Sequence, residues 1–164
     1  MVKSKSGASS QGGITRTLDE TDRLLLLLLQ DDSELRLKLL AEKVELSVGA
    51  VSERIHRLEE VGIIGKRVAI LDRDSIGLHV VAFIRVLVDS AANETRGISQ
   101  LVLFPEILEC HCITGEYSYL LKVCVPDTHH LESLISRCKS VEGIERCDTM
   151  LSLSTAKETT ALPI

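Results

Sequence analysis

The apolar positions along the chain change their period near residue 78. Before that point they recur at the three- and four-residue spacing of amphipathic helices. After it, short β-branched runs alternate with helical stretches, which indicates strands connected by helices. The change predicts two domains, at 18–72 and 79–158, with a hinge at 73–78 between them.

Three helices are predicted in the first domain, at about 19–30, 37–44 and 47–61. Asp19 and Ser47 are favourable N-caps for the first and the third helix, whereas Arg36 is a poor cap for the second. Gly62 follows the third helix as a left-handed C-terminal residue.

The third helix has one narrow apolar stripe, formed by Val48, Val51, Ile55 and Leu58. Its opposite face carries small residues near the start and cations further along, namely Gly49, Ala50, Ser52, Glu53, His56 and Arg57. Such a face suits a helix that enters the major groove of DNA. Arg54 lies at the edge of the stripe, where it suits a phosphate or an internal carboxylate better than a base.

The residues at 63–71 alternate apolar, turn-like and basic side chains, which predicts the β-hairpin of a winged helix-turn-helix. Lys66 and Arg67 at its start are placed for phosphates. The net charge of −5 means that any DNA-binding face must be local. The alternative is a small three-helix domain with a solvated third helix. The candidate DNA contacts are Ser47, Gly49, Ala50, Ser52, Glu53, Arg54, His56, Arg57, Lys66 and Arg67.

The second domain shows the element order β-α-β-β-α-β of the ferredoxin-like fold. Its strands are predicted at about 79–89, 107–114, 117–125 and 143–154, and its helices at about 93–104 and 127–139. The expected fold class is therefore α+β. Both helices cover one face of a four-stranded antiparallel sheet, so the other face needs cover, and a second copy of the chain is the simplest source.

The composition of the chain bears on which classes of function and which location are expected. Aromatic residues make up 2% of the chain and Trp is absent, so a single-strand binder built on base stacking is not expected. No segment reaches the length of about 20 apolar residues that spans a bilayer. The polar residues 1–17 are expected to form a disordered tail without the apolar core of a secretion signal, so a cytoplasmic protein is expected. Residues 159–164 form a C-terminal tail.

Two clusters in the second domain could carry chemistry. Cys110, His111 and Cys112, together with Cys124 and Cys147, could form a thiolate metal site, but alternate strand positions more often fill a core. We therefore predict no metal and no cofactor. The chain has no nucleophile elbow, phosphate-cradling loop or HExxH motif, so no catalytic residue is predicted.

The other cluster is a loop with a glycine between two strands, made of Thr114, Gly115, Glu116, Tyr117 and Ser118. A glycine turn exposes backbone amides that can bind a carboxylate, and the neighbouring acid can bind an ammonium group. The loop is thus a candidate site for a small zwitterion. The alternative is a plain hairpin turn.

Several stretches of the chain resemble the leucine-responsive regulatory protein/AsnC family, the feast/famine transcription regulators of bacteria and archaea. The matching stretches are Leu18–Asp22, Leu46–Ser47, Arg54–Ile64, Pro105–Cys110, Thr114–Val123 and Thr159–Ile164. The resemblance implies a winged helix-turn-helix followed by an amino-acid-sensing ferredoxin-like domain. It also implies homodimers joined through the second domain, often assembled into octamers, with an effector site near Thr114–Ser118 at a dimer–dimer interface.

The chain departs from the family pattern at two places. Ser118 stands where the family turn often has a second acid, and Glu53 stands where a basic residue is common. The expected function is an effector-modulated regulator that binds double-stranded DNA. Two alternatives stay open: an enzyme of the related haem-pathway (siroheme) decarboxylase branch, and a sensor that has lost DNA binding.

Overall fold

The computed structural model describes residues 18–164, which form two compact units. The first unit runs to Val68 and includes Thr159–Ile164, and the second is Ala69–Glu158. The segment expected as a separate C-terminal tail therefore groups with the first unit, where the Gln30 side chain binds the backbone of Leu162. The disordered tail predicted at 1–17 lies outside the described residues.

The first unit contains three helices, α1 (Glu20–Asp31), α2 (Leu37–Lys43) and α3 (Val48–Glu60). The two predicted caps are present: the Asp19 carboxylate accepts a hydrogen bond from the Asp22 N–H, and the Ser47 hydroxyl accepts one from Ala50. Arg36 makes no side-chain cap, as its type predicts. The helices enclose a small core of Leu25, Leu40, Ala41, Val51 and Ile55.

The turn on each side of α3 contains a residue with a left-handed backbone. Between α2 and α3 the chain reverses at Glu45, which adopts a left-handed backbone with a φ of 54°. After α3, Gly62 has a φ of 76°, as predicted for a C-terminal glycine. The apolar stripe of α3 is buried at Val51, Ile55 and Leu58. Val48 was expected in the same stripe but lies exposed on the first turn, beyond the reach of the core.

The hairpin predicted at 63–71 is absent, and these residues form no strand. Val68, Ile70 and Leu71 are exposed, so the segment buries little apolar surface. An isolated two-stranded hairpin is marginal in water unless a third strand or a helix covers it. The alternation of residue types was therefore insufficient to form the wing within a single chain.

The second unit is an antiparallel four-stranded sheet with two helices. Its elements are β1 (Val80–Val88), α4 (Ala91–Leu101), β2 (Ile107–Cys112), β3 (Tyr119–Val125), α5 (Thr128–Lys139) and β4 (Ile144–Leu151). The strand order is β2-β3-β1-β4, and every neighbouring pair is antiparallel. The predicted α+β, ferredoxin-like architecture is confirmed.

Both helices pack on one face of this sheet. Alternate residues of the central strands, including Ile84 and Leu121, share one core with Leu101 of α4 and Leu134 of α5. Val102, which follows the last residue of α4, is exposed.

The opposite face of the sheet remains partly open in the single chain. Phe83, Leu120 and Met150 lie on it and are only partly buried or exposed. Phe83 pairs directly with Met150, and residues opposite one another in an antiparallel pair share a face. Phe83 also lies opposite Lys122, and Leu120 lies opposite Arg85, so this face combines apolar and charged side chains at the centre of the sheet.

Candidate functional site

The exposed face of α3 carries the side chains that were predicted to meet DNA. Gly49, Ser52, Glu53 and His56 are exposed, and their spacing of three or four residues places them together on one face. Ala50 is half-buried beside them. The Ser47 hydroxyl lies at the helix start, where it caps the first turn.

The two arginines of α3 bind the carboxylates of α1. The Arg57 guanidinium donates to both oxygens of Asp22, at 3.0 and 2.9 Å. The Arg54 guanidinium lies 2.8 Å from Asp22 and 2.6 Å from Asp19. Asp22 is 4% exposed and is the only charged residue that is buried in the described part of the chain. The cap bond from the Asp22 N–H and the Arg54 guanidinium together lower the pKa of Asp19.

These contacts bear on the roles that the sequence predicted for Arg54 and Arg57. For Arg54 the structure realises the internal-carboxylate alternative. Arg57 was expected to face the groove, yet its guanidinium is bound to Asp22. Both ion pairs join residues more than thirty positions apart, so periodicity within α3 carried no signal for them.

The two basic residues that follow α3, Lys66 and Arg67, differ in their ion pairing. Arg67 pairs with Glu59 at 3.1 Å, on the exposed surface. Lys66 is exposed and has no ion-pair partner in the part of the chain that the structure describes. Near the end of α3, the His56 ring lies 3.4 Å from the Glu60 carboxylate.

The loop between β2 and β3 holds the predicted effector residues. Two backbone hydrogen bonds fix it: Ile113 N–H donates to Ser118, and Ser118 N–H donates to Val86 of β1, both at 2.9 Å. Thr114, Gly115 and Glu116 are exposed at its tip. Gly115 has a φ of 124°, and no atom lies within 4 Å of the position that a Cβ would take. The tip therefore offers open space beside free backbone.

Tyr117 follows that tip and is buried, at 8% exposed. Two guanidiniums lie over its ring, Arg85 at 4.4 Å and Arg146 at 4.9 Å from the ring centre. Arg146 also pairs with Glu116, and Arg85 pairs with Asp148 of β4. Tyr117 thus anchors the loop on the sheet.

Arg85, Arg146 and Asp148 were not identified as site residues from the sequence. Arg85 interrupts the apolar strand β1, and alternation alone places it on the face opposite the helices. Its partner Asp148 lies opposite it on the neighbouring strand β4, and this register is defined only by the folded structure.

All five cysteines are free thiols. Cys124 and Cys138 are buried, and burial raises the pKa of the Cys138 thiol to about 12. Among residues 18–164, no three His, Cys, Asp or Glu side chains come together in a way that could hold a metal ion. Over the same residues, no helix has the length and hydropathy needed to cross a membrane.

Comparison with known proteins agrees with this architecture. Residues 18–64 match a family model described as winged helix-turn-helix DNA-binding, and residues 81–162 match the Lrp/AsnC ligand binding domain. The chain is 35% identical to the HTH-type transcriptional regulator FL11 of Pyrococcus horikoshii, over 90% of this chain and 97% of that protein. It is 37% identical to the DNA-binding transcriptional activator DecR of Escherichia coli, over 90% of this chain and 99% of that one.

Solved structures give the same result. A transcriptional regulator from Neisseria meningitidis in complex with L-Met has a TM-score of 0.85 at 33% identity, covering 90% of this chain and 97% of its own. A feast or famine regulatory protein from M. tuberculosis, complexed with L-methionine, has a TM-score of 0.83 at 28% identity, covering 89% and 99%. These relatives are transcription regulators, and they give the decarboxylase alternative no support. The chain belongs to the Lrp/AsnC family of DNA-binding transcription regulators.

Proposed function

We propose that this regulator binds its operator through α3 and that an amino acid bound at the loop Thr114–Ser118 changes its affinity for DNA. The observation that carries the proposal is the pairing of an exposed, polar recognition face with a separate unit that holds an open glycine loop. Each unit supplies one half of an effector-controlled switch.

The DNA face consists of α3 and the basic residues that follow it. Hydroxyl, carboxylate and imidazole groups can read base edges, and small residues let the helix approach the groove. Lys66 is free to meet a phosphate, and Arg67 can do so by exchanging its exposed partner Glu59. The proposed contacts are Ser47, Gly49, Ala50, Ser52, Glu53, His56, Lys66 and Arg67.

The effector site uses the tip of the loop. Backbone amides beside Gly115 suit a carboxylate, and the Thr114 hydroxyl lies next to them. Glu116 suits an ammonium group, and its present partner Arg146 is half-exposed, so the pair can exchange at little cost. Two relatives of known structure contain L-methionine, which favours an α-amino acid as the ligand class.

The open sheet face is the proposed dimer contact. Phe83, Leu120 and Met150 lie on it, and a second copy of the chain would cover them. Assembly of such dimers into octamers, which the family resemblance implies, is a further expectation. As a DNA-binding regulator, the protein is proposed to act in the cytoplasm, where it meets its operator.

Two experiments test the proposed function. The full chain should retard a duplex from the region upstream of its own gene in a gel shift, while a scrambled duplex of equal length should not be retarded. A thermal-shift screen against the twenty amino acids should raise the melting temperature with one or a few of them. A chain that binds an amino acid but no DNA would instead be a sensor without a DNA-binding function.

A further inference from the structure

We propose that Asp22 is a positioning residue that holds Arg54 and Arg57 of the recognition helix away from the DNA backbone. The inference rests on the proposed function in one respect, that α3 is the helix that contacts DNA. It goes beyond that function because it assigns the two arginines of the helix to a buried carboxylate of α1. Phosphate binding then falls to residues outside α3.

The geometry ties both arginines to one buried carboxylate. Arg57 donates to both oxygens of Asp22, at 3.0 and 2.9 Å, and Arg54 donates to one of them at 2.8 Å. The Arg54 guanidinium is also 2.6 Å from Asp19. Asp22 itself lies on the buried side of α1, next to the core residue Leu25. The four side chains form a neutral network that joins α1 to α3.

Burial makes this network difficult to open. A carboxylate removed from water is stabilised by its partners, and loss of a partner leaves an uncompensated buried charge. If Arg57 turned toward a phosphate, Asp22, which is 4% exposed in the structure, would lose the partner that binds both of its oxygens. The contact with DNA would therefore have to offset the exposure or isolation of Asp22, whereas Lys66 faces no such competition.

The network also defines what α3 offers to DNA. With Arg54 and Arg57 engaged, the exposed face presents Ser52, Glu53 and His56. These groups can form hydrogen bonds with base edges, and none of them carries the permanent positive charge of a guanidinium. The helix is thus arranged to read sequence, with little charge of its own for binding phosphates indiscriminately.

The first test compares Arg57→Gln with Lys66→Ala in the full chain. Affinity for a random-sequence duplex is measured by fluorescence anisotropy across a salt series. Each phosphate contact contributes about −0.9 to the slope of log affinity against log salt. We expect Lys66→Ala to flatten the slope by about 0.9 and Arg57→Gln to leave it unchanged. A flattening of about 0.9 for Arg57→Gln would overturn the proposal.

The second test removes the acid. Asp22→Asn should release the Arg57 guanidinium, whereas Arg54 keeps its contact with Asp19, so the same slope should steepen by about 0.9, the contribution of one phosphate contact. Asp31→Asn is the matched control, because Asp31 lies exposed at the end of α1 and has no ion pair within the described residues. Equal slopes for the two variants would contradict the proposal. If circular dichroism shows that Asp22→Asn does not fold, the Arg57→Gln result decides.

A third measurement separates this proposal from the proposed function. On a heparin column, Asp22→Asn should elute at higher salt than Asp31→Asn, since both variants lose one negative charge but only Asp22→Asn frees Arg57. This result does not depend on an operator or an effector. A wild-type chain without a preferred duplex would contradict the proposed function alone, and coincident elution of the two variants would contradict the role of Asp22 alone.

Discussion

At the residue scale, the local roles of side chains could be predicted from the sequence, whereas their long-range contacts could not. Local chemistry predicts the caps Asp19 and Ser47 and the left-handed Gly62, because each depends on neighbours within a few positions. The ion pair of Arg57 with Asp22 joins residues 35 positions apart, and the contact of Arg85 and Arg146 with the Tyr117 ring requires three segments to meet. Such contacts are properties of the fold and leave no trace in local spacing.

Gly115 provides a test at the residue scale. Its φ of 124° lies in a region that side chains rarely adopt, so Gly115→Val should change the backbone of the loop tip. We expect loss of amino-acid binding by calorimetry, with the ligand found in the thermal-shift screen. DNA affinity without effector should stay close to wild type, because the DNA face lies in the other unit.

The matched control is Gly65→Val, a glycine that also has open space but no left-handed backbone. It should retain amino-acid binding. Normal binding by Gly115→Val would place the effector site elsewhere. Failure of that variant to dimerise would mean that Gly115 serves only as a structural turn residue.

At the scale of secondary-structure elements, the order of helices and strands was predictable and the wing was not. Periodicity and caps placed α1, α3 and all four strands close to their observed positions, and the order β-α-β-β-α-β then fixed the sheet. The hairpin at 63–71 failed because pairing requires a surface to pack on, which the alternation of residue types does not supply.

The cap of α5 predicts a dependence of stability on pH. The backbone N–H of His130 donates a hydrogen bond to Asp127 and lowers the pKa of its carboxyl below the usual 3.8. A hydrogen bond with the His130 side chain lowers this pKa further. Because the folded-state pKa is depressed, this contribution is present above the unfolded pKa and is lost as pH falls through the folded value. Asp127→Asn keeps a capping oxygen without the charge, so its deficit against wild type should be larger at about pH 5 than at about pH 3.

Urea unfolding at the two pH values measures this difference. Glu132→Gln is the control, since Glu132 is exposed on the same helix and has no ion pair among residues 18–164. Its effect should be small at both values. A deficit for Asp127→Asn that does not shrink in acid would show that the charge of the cap contributes nothing.

Packing of the sheet against the helices provides a second test at this scale. Leu121 is fully buried in β3, so Leu121→Ala should lower the free energy of unfolding by about 2–5 kcal/mol. Leu103→Ala, at an exposed site after α4, should change it by less than about 0.5 kcal/mol. Equal losses in denaturant titrations would mean that the core is not where the structure places it.

At the scale of the whole molecule, the open sheet face predicts self-association. Phe83 lies on that face in the central strand β1, so Phe83→Asp should place a charge in the proposed dimer contact. We expect light scattering of the full chain at micromolar concentration to show a dimer or larger assembly for wild type and a monomer for this variant. Leu103→Asp, remote from the face, should keep the wild-type mass. A folded Phe83→Asp dimer would assign the interface to another surface.

The central claim is that one chain joins sequence-specific DNA binding to amino-acid sensing. The most direct test is fluorescence anisotropy of the full chain on the duplex from upstream of its own gene and on a scrambled duplex, each with and without the amino acid that stabilises the protein. We expect at least about 1000-fold tighter binding to the upstream duplex, and a change in that affinity when the amino acid is added. Equal affinity for both duplexes, or an affinity that the amino acid leaves unchanged, would contradict this claim.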